Sequence, residues 1–293
     1  MEMKDRSGQL LLGIASPLEA EICTPQQFPV YTVYCIHKGQ GVFHSDFGSF
    51  SFTGPVMLFA TPMQLIYLED CKDIVCTRLQ FHSDFYCIEY HRQEVACNGL
   101  LFNNIYIDPL VNISDKELVI FESLLENMKA DSEQNVPSET VSQAYLQLFL
   151  AKSSAVKIAS MDQPAEQTQK DEMMEKFRAL LDKNYLTLHK PSEYASMLAM
   201  TPDNFTKRST RYFKKTPSKL IQERLILEAK KQLHLTRQSI KEIAYNLKFQ
   251  DEFYFSRFFK KFTKISPHAF REQTGISIVA DLPVPNFKDS SKL

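Results

Sequence analysis

One stretch of this chain occurs twice. Subtracting 50 from the residue number carries Phe255 onto Phe205, Ser256 onto Thr206, Arg257 onto Lys207, Lys261 onto Arg211, Phe262 onto Tyr212 and Ser266-Pro267 onto Thr216-Pro217. An offset of 49 matches the part upstream: Glu242 with Glu193, Ala244 with Ala195, Leu247 with Leu198. The single-residue difference falls where a turn must lie. A duplicated unit implies a duplicated structural role, which restricts this region to two similar modules and whatever joins them.

The second copy reads as two short helices and a turn, followed by a third helix. Ser239 and Glu242 have the spacing of a capping box, so a helix begins at Ile240, with Ile243, Ala244 and Leu247 as its apolar stripe. Asp251 caps the next helix, where Phe255, Phe258, Phe259 and Phe262 recur at the spacing of a buried face. The opposite face carries Glu252, Tyr254, Ser256, Arg257, Lys260 and Lys261. Ser266-Pro267 opens the third helix, with Pro at the first position, where its missing N–H costs nothing. In the first copy Thr201-Pro202 caps the corresponding helix, whose exposed positions are Asn204, Thr206, Lys207, Arg208 and Arg211. Arg208 is the exception in that set: its repeat partner Phe258 is a core position, so crossing the domain surface is the alternative for it. Between the copies, residues 217–233 form an amphipathic helix that spans roughly 25 Å, comparable with one turn of B-DNA.

Two short helices joined by a tight turn, the second with a basic and hydrogen-bonding face, match the unit that lays one helix in the DNA major groove. A helical bundle with a solvated charged face is the plainer alternative, and the duplication weighs against it. The string A-x(2)-L-x-F-x-D-x(3)-F-S-R-x-F-K-K-x(4)-S-P-x(2)-F-R over residues 244–271 resembles the AraC/XylS family of bacterial transcription regulators, and the resemblance extends over about residues 174–274. Two positions depart from the family pattern: Lys248 and Lys264 stand where glycine is usual, which costs energy if the backbone there is left-handed.

The formal net charge of −1 conceals a division. Residues 1–169 hold 10 basic against 21 acidic side chains, whereas residues 170–275 hold 22 against 12. Such asymmetry points the C-terminal half toward a polyanion.

Residues 1 to about 110 read as strands. Tyr31–Ile36 is β-branched and aromatic, Lys38-Gly-Gln-Gly41 is expected to make a hairpin turn, and Phe47-Gly48-Ser49 turns again before Phe50-Ser51-Phe52. Gly54-Pro55 and Thr61-Pro62 break the pattern around strands at 56–60 and 64–68. Short, evenly spaced strands imply a sandwich or small barrel. The family resemblance implies a cupin-like barrel that holds a small effector, with G-x-G-x(4)-D-F at 39–47 as its early hairpin. His37, His44, His82 and His91 are scattered with no H-x-H pair, and no nucleophile elbow, P-loop or H-E-x-x-H is present, so neither a metal, a cofactor nor an enzyme is expected. All six cysteines, Cys23, Cys35, Cys71, Cys76, Cys87 and Cys97, lie in this half without C-x-x-C spacing and read as small buried hydrophobes, a thiol sensor being the alternative.

From Ser114 the pattern becomes helical: Leu118, Phe121, Leu124, Leu125 and Met128 form one stripe, Val141, Tyr145, Leu148 and Phe149 another, separated at 135–137. Two such helices serve either to pack the barrel or to form a dimer interface, and the resemblance implies the second, in which the hairpin pairs two copies of the chain. The expected organisation is a two-domain chain. An N-terminal cupin-like barrel or sandwich with a helical hairpin forms an effector-binding and dimerisation domain over 1–155, with strands to 110 and helices over 114–151. A linker follows at 156–170, then an all-α DNA-binding domain with two helix-turn-helix motifs at 171–275 and a poorly ordered tail at 276–293. The first residues hold neither a secretion signal nor a membrane span, which implies a cytoplasmic protein. The function expected is a sequence-specific transcription regulator that acts as a homodimer on double-stranded promoter DNA, with a small-molecule effector and RNA polymerase as further partners. Two alternatives stand beside it: the same DNA-binding role with no effector, and a cupin-type enzyme with an accessory basic domain.

Overall fold

The computed structural model describes residues 1–46, 48–88, 99–132, 138–162 and 171–277. Its N-terminal half is an antiparallel sheet made of β1 (Glu2–Lys4), β2 (Leu10–Ala15), β3 (Gln26–Gln27), β4 (Tyr31–Ser45), β5 (Gly48–Thr53), β6 (Val56–Ala60), β7 (Leu65–Phe81) and β8 (Leu110–Asn112), with a short helix α1 (Glu19–Ile22) before β3. The strand order is β1-β2-β7-β4-β6-β8, with β3 paired to β7 and β5 to β4. Successive side chains of a strand point to opposite faces, and in β4 both faces are covered. Val33 and Cys35 enter one core with Phe59 and Phe81, whereas Tyr34, Ile36 and Phe43 enter a second with Phe52, Leu58 and Leu68.

Two features differ from the sequence expectation. The 38–41 stretch is no hairpin turn, because β4 continues through it for 15 residues. Gly39 sits at φ +110°, and a Cβ there would lie 2.7 Å from the Lys72 carbonyl oxygen, so a glycine is required. The β4–β7 register shifts at Ile36/Lys38, Lys38/Gln40 and Gln40/Val42, which marks a run of bulges, each bending the strand while pairing persists. The turn comes later, where Ser45 pairs with Gly48; Phe47, the end of the expected early hairpin, lies outside the described residues. The second difference is length. The strand expected at 64–68 runs on to Phe81, and Asp70 and Asp73 accommodate it at φ +53° and +52°.

Helices α2 (Asp115–Ser132) and α3 (Glu139–Asp162) cover the first core. In α2 the stripe of Phe121, Leu124, Leu125 and Met128 is buried as its spacing predicts. In α3 the buried face is rotated from the expected one: Leu146, Phe149 and Leu150 pack inward, while Val141 and Leu148 remain 41% and 43% exposed. The helix also extends past 155, through the first part of the expected linker. Lys157 anchors it there by donating to the carbonyl oxygens of Asp108 (3.0 Å) and Leu110 (2.6 Å). Residues 163–170 and 278–293, the rest of that linker and most of the tail, lie outside the described residues, as do His91 and Cys97.

The C-terminal half consists of α4 (Glu172–Asn184), α5 (Pro191–Met197), α6 (Pro202–Phe213), α7 (Pro217–Leu235), α8 (Ile240–Asn246), α9 (Glu252–Thr263) and α10 (Pro267–Thr274). It has two cores that share α7. Leu220, Ile221 and Leu225 face the first with Phe177, Tyr194, Phe205 and Phe213; Ile226, Ala229 and Leu233 face the second with Phe249, Phe255, Phe259 and Phe270. A fully buried Phe contributes about 1.5–3 kcal/mol relative to an exposed one, so these rings dominate the stability of each unit. Edge-to-face contacts such as Phe177–Phe205, with centroids 4.7 Å apart, fix how they pack.

Candidate nucleic-acid interface

The two copies fold alike down to single hydrogen bonds. In the second, the Ser239 amide donates to the Glu242 carboxylate (2.7 Å) and the Glu242 amide to Ser239 Oγ (3.2 Å), closing the predicted capping box on α8. The turn after α8 is left-handed at Lys248 (φ +60°), and the Phe249 amide reaches back to the Ala244 carbonyl oxygen at 2.9 Å. The turn after α5 repeats this with Ala199 at φ +52° and Met200 donating to Ala195, also at 2.9 Å. That closure is the Schellman arrangement, which ends a helix and sets the entry angle of the next. The next helix is capped by Thr201 in the first copy, accepting from the Asn204 amide at 3.4 Å, and by Asp251 in the second, accepting from the Tyr254 amide at 2.6 Å. Each of these helices, α6 and α9, ends in a left-handed lysine, Lys214 or Lys264.

The expected contact residues fall on α6 and α9. Asn204, Thr206, Lys207 and Arg211 are exposed on α6; Tyr254, Arg257, Lys260 and Lys261 are exposed on α9, with Glu252 and Ser256 half-buried beside them. Lys207 and Arg257 occupy equivalent exposed positions. Lys207 holds Asp203 at 2.8 Å, but both side chains are about three-quarters exposed, and such a pair contributes about 0.5 kcal/mol at most. Arg208 differs: its guanidinium grips both oxygens of Asp171, one at 2.9 Å through Nε. Asp171 also caps α4, and the Arg208 hydrogen bond holds its carboxyl below the usual range. Arg208 therefore joins α6 to α4, crossing the domain surface as its pairing with a core position in the repeat had allowed.

Sequence reasoning missed Phe253. It sits next to Tyr254 at the start of α9 and is 74% exposed, against 52% for Tyr254. The signal was present, since the residue lies outside the Phe255–Phe259 stripe yet is aromatic.

The seam between the halves was also not foreseen. Met63, in the β6–β7 loop, is buried in the second helical core, and Ile105 in the first. Polar contacts run beside them. Gln27 Nε2 donates to the carbonyl oxygen of Thr263, the last residue of α9, at 2.9 Å. Lys215 Nζ donates to the Ile105 carbonyl oxygen and to Glu223, both at 2.8 Å. Lys230 lies 3.5 Å from Asp46, and burial pushes both toward neutrality, raising the carboxyl and lowering the amine. Within this seam lies a cavity of about 540 Å³, lined among others by Tyr31, Arg178, Arg224, Lys230, Lys231 and Phe270. It is not the sheet interior, which the second strand core fills.

Among the described residues no group of three His, Cys, Asp or Glu side chains could hold a metal ion. His37 contacts Glu122 and Thr77, His44 contacts Glu69 and Ser49, and His82 contacts Gln9, so these three do not converge. No helix among them is long and apolar enough to cross a membrane.

Two such units on one shared helix, each presenting a cationic second helix, define a double helix-turn-helix DNA-binding domain. A family model described as a helix-turn-helix domain matches residues 194–273. The C-terminal half therefore carries a helix-turn-helix domain of the AraC type. No curated protein matches the chain. Among solved structures, it is similar to an apo variant of ToxT from Vibrio cholerae (16% identity, 90% of this chain and 97% of that one, TM-score 0.44). It is also similar to wild-type ToxT from Vibrio cholerae bound to an unsaturated fatty acid (17% identity, 91% and 94%, TM-score 0.40). The C-terminal domain of the response regulator AraT from Geobacillus stearothermophilus aligns over 42% of this chain and 96% of its own (20% identity, TM-score 0.35).

Proposed function

We propose that α6 and α9 enter successive major grooves on one side of the duplex and that the N-terminal half governs this through the seam. The observation that carries the proposal is the pair of N-terminal side chains, Met63 and Ile105, seated one in each helix-turn-helix core. Lys207 and Arg257 then lie at groove depth, flanked by Asn204, Thr206, Tyr254 and Ser256. Arg211, Lys260 and Lys261 meet phosphate, and Phe253 with Tyr254 offers an apolar surface to thymine methyl groups. A helix of 19 residues separates the two, about 28 Å long, which suits one helical turn of DNA.

The small-molecule site of this reading is the seam cavity. Three cations, Arg178, Arg224 and Lys231, face two carboxylates, Asp182 and Glu228, around apolar walls that include Leu227 and Phe270. That balance favours a ligand with an anionic group and an apolar body, which shifts DNA binding only if it prefers one arrangement of the halves. The exposed apolar side chains of α2 and α3, Val119, Ile120, Val141 and Leu148, provide the surface for pairing two copies. RNA polymerase is the further partner that a promoter-bound regulator meets.

A second reading, DNA binding without a small ligand, draws on the filled sheet interior. One series of measurements separates them. Purified protein is footprinted on genomic fragments at low salt, then titrated with a panel of amphipathic carboxylates while sedimentation reports its mass. Two protected grooves one turn apart, with affinity that responds to a panel member, support the first reading. Protection with no response supports the second, and no protection at low salt refutes both.

A further inference from the structure

Five of the six cysteines lie among the described residues; Cys35, Cys76 and Cys87 are buried, whereas Cys23 and Cys71 are only partly so. Those two meet. Cys23 Sγ lies 3.1 Å from Cys71 Sγ, although the residues are 48 positions apart. The gap is about 1 Å longer than the S–S bond of a disulfide. We propose that Cys23 and Cys71 are a reversible dithiol–disulfide site that takes a peroxide as its oxidant and adjusts the hold of the N-terminal half on α9.

The pair sits where chain and solvent both allow the reaction. Cys23 closes α1, its amide donating to the Glu19 carbonyl oxygen at 3.0 Å. Cys71 lies in the bulged middle of β7, between the left-handed Asp70 and Asp73. It also lines an open groove of about 600 Å³ with Gly41, Phe52 and Lys72, which brings a small oxidant to Cys71 and so to the Cys23 sulfur 3.1 Å beyond it. The core thiols contrast with this: burial pushes Cys35 up to about 12 and Cys76 up to about 11, and neither lines that groove.

Burial, and after it the hydrogen bond with Cys23, pushes Cys71 up to about 12, so Cys71 keeps its proton and Cys23 makes the first attack. The Cys23 sulfur attacks one peroxide oxygen, giving up its proton, and the O–O bond breaks. Cys23 becomes a sulfenic acid, and the departing hydroxide takes the proton that Cys23 gave up. Cys71 sulfur then attacks Cys23 sulfur, the S–O bond breaks, and the second hydroxide leaves as water with the Cys71 proton. Two thiols lose two electrons and one hydrogen peroxide is reduced to two waters.

Closing the gap moves Cys23 and Cys71 together by about 1 Å. The segment after Cys23 leads directly to the seam. Gln26 Nε2 holds the Glu21 carbonyl oxygen at 3.0 Å, and Gln26 and Gln27 pair with Ile66 and Leu65 of β7. Gln27 Nε2 in turn holds the carbonyl oxygens of Met63 (3.1 Å) and Thr263 (2.9 Å). The displacement therefore arrives four residues on, at the end of α9 and at the side chain seated in its core.

The test uses the reduced full-length chain, treated with hydrogen peroxide, quenched and digested for mass spectrometry. DNA affinity is measured in parallel on a fragment that the reduced protein protects. The expected result is a peptide joining Cys23 to Cys71, two hydrogens lighter than its parts, with a change in DNA affinity of about fivefold or more, within the range of ordinary allosteric coupling. Dithiothreitol reverses both changes. Cys71→Ser and Cys23→Ser each bind DNA when reduced and show neither change. Absence of the joined peptide, while other thiols of the same sample are oxidised, overturns the site. A joined peptide with unchanged affinity overturns its link to α9. The regulatory half rests on the DNA-binding function, and reduced protein that ignores DNA would count against that function while the joined peptide still decided the chemistry.

Discussion

Left-handed backbone recurs at equivalent points of the two copies, after the first helix at Ala199 and Lys248 and after the second at Lys214 and Lys264. None of the four is glycine, so each side chain crowds its own carbonyl. Lys248→Gly and Lys264→Gly are each expected to stabilise the fold by about 0.5–1 kcal/mol, part of the relief being offset by the greater freedom of glycine when unfolded. A higher denaturant midpoint with an unchanged slope checks this; a lower midpoint contradicts it. On the DNA face the division of labour is also a matter of single side chains. Arg257→Ala removes a group suited to a bidentate pair with guanine and should relax sequence preference, at a cost of about 1–3 kcal/mol on the preferred site. Lys261→Ala should weaken binding to all sequences alike and lower the salt slope by about 1. Competition between specific and random duplexes over a salt series distinguishes the two, and identical profiles for both variants would refute the assignment. The exposure of both residues was legible in the sequence because they sit opposite a phenylalanine stripe. The role of Arg208 was not, since Asp171, its partner, is 37 positions away.

At the scale of elements, what is written locally was readable and what is settled at a distance was not. Caps, periodicity and the Ser-Pro and Thr-Pro starts are local, and α6 to α10 begin where those signals put them. The bulged halves of β4 and β7 carry glycine, lysine and aspartate, which look like loop residues, and only their mutual pairing makes them strand. Burial within α7 was equally invisible. Glu223 is 1% exposed, and desolvation outweighs the attraction of Lys215 and Lys219, raising its carboxyl to about 7 from 4.5. Between about pH 4.5 and 7 the folded chain keeps a proton at Glu223 that the unfolded chain has released, and the stabilisation is complete below about pH 4.5. This contribution is lost as pH rises toward 7, with a slope of about 1 kcal/mol per pH unit. Glu223→Gln, which cannot titrate, should flatten the stability profile over that window. Denaturation from pH 5 to 8 measures it, and an unaltered slope would show that another group titrates.

Across the whole molecule the halves are joined by insertion as well as by contact. Met63 is 3% and Ile105 2% exposed, each in a core whose other buried residues are C-terminal, with Tyr106 packed beside Ile105. Met63→Ala and Ile105→Ala should each destabilise the chain by about 2–5 kcal/mol. Because each hole opens in a helix-turn-helix unit, hydrogen exchange should quicken in α8–α10 for the first and in α4–α6 for the second. Faster exchange confined to the sheet would contradict the seating of these side chains. The two-domain division and the cation-rich half could be read from charge and composition. The seam could not, because an interdigitated boundary leaves no mark on either sequence alone.

That interdigitation bears on how the chain can be taken apart. A fragment cut after residue 162 would carry both helix-turn-helix units, yet each would be missing part of its filling, supplied in the intact molecule from far upstream. Dissection would then create the defect that it sets out to measure, and a silent fragment would report its own vacancies. Transplanting the reading half onto another sensor requires that the new neighbour offer two apolar pegs at the same places, or that the sockets first be closed by larger residues from within.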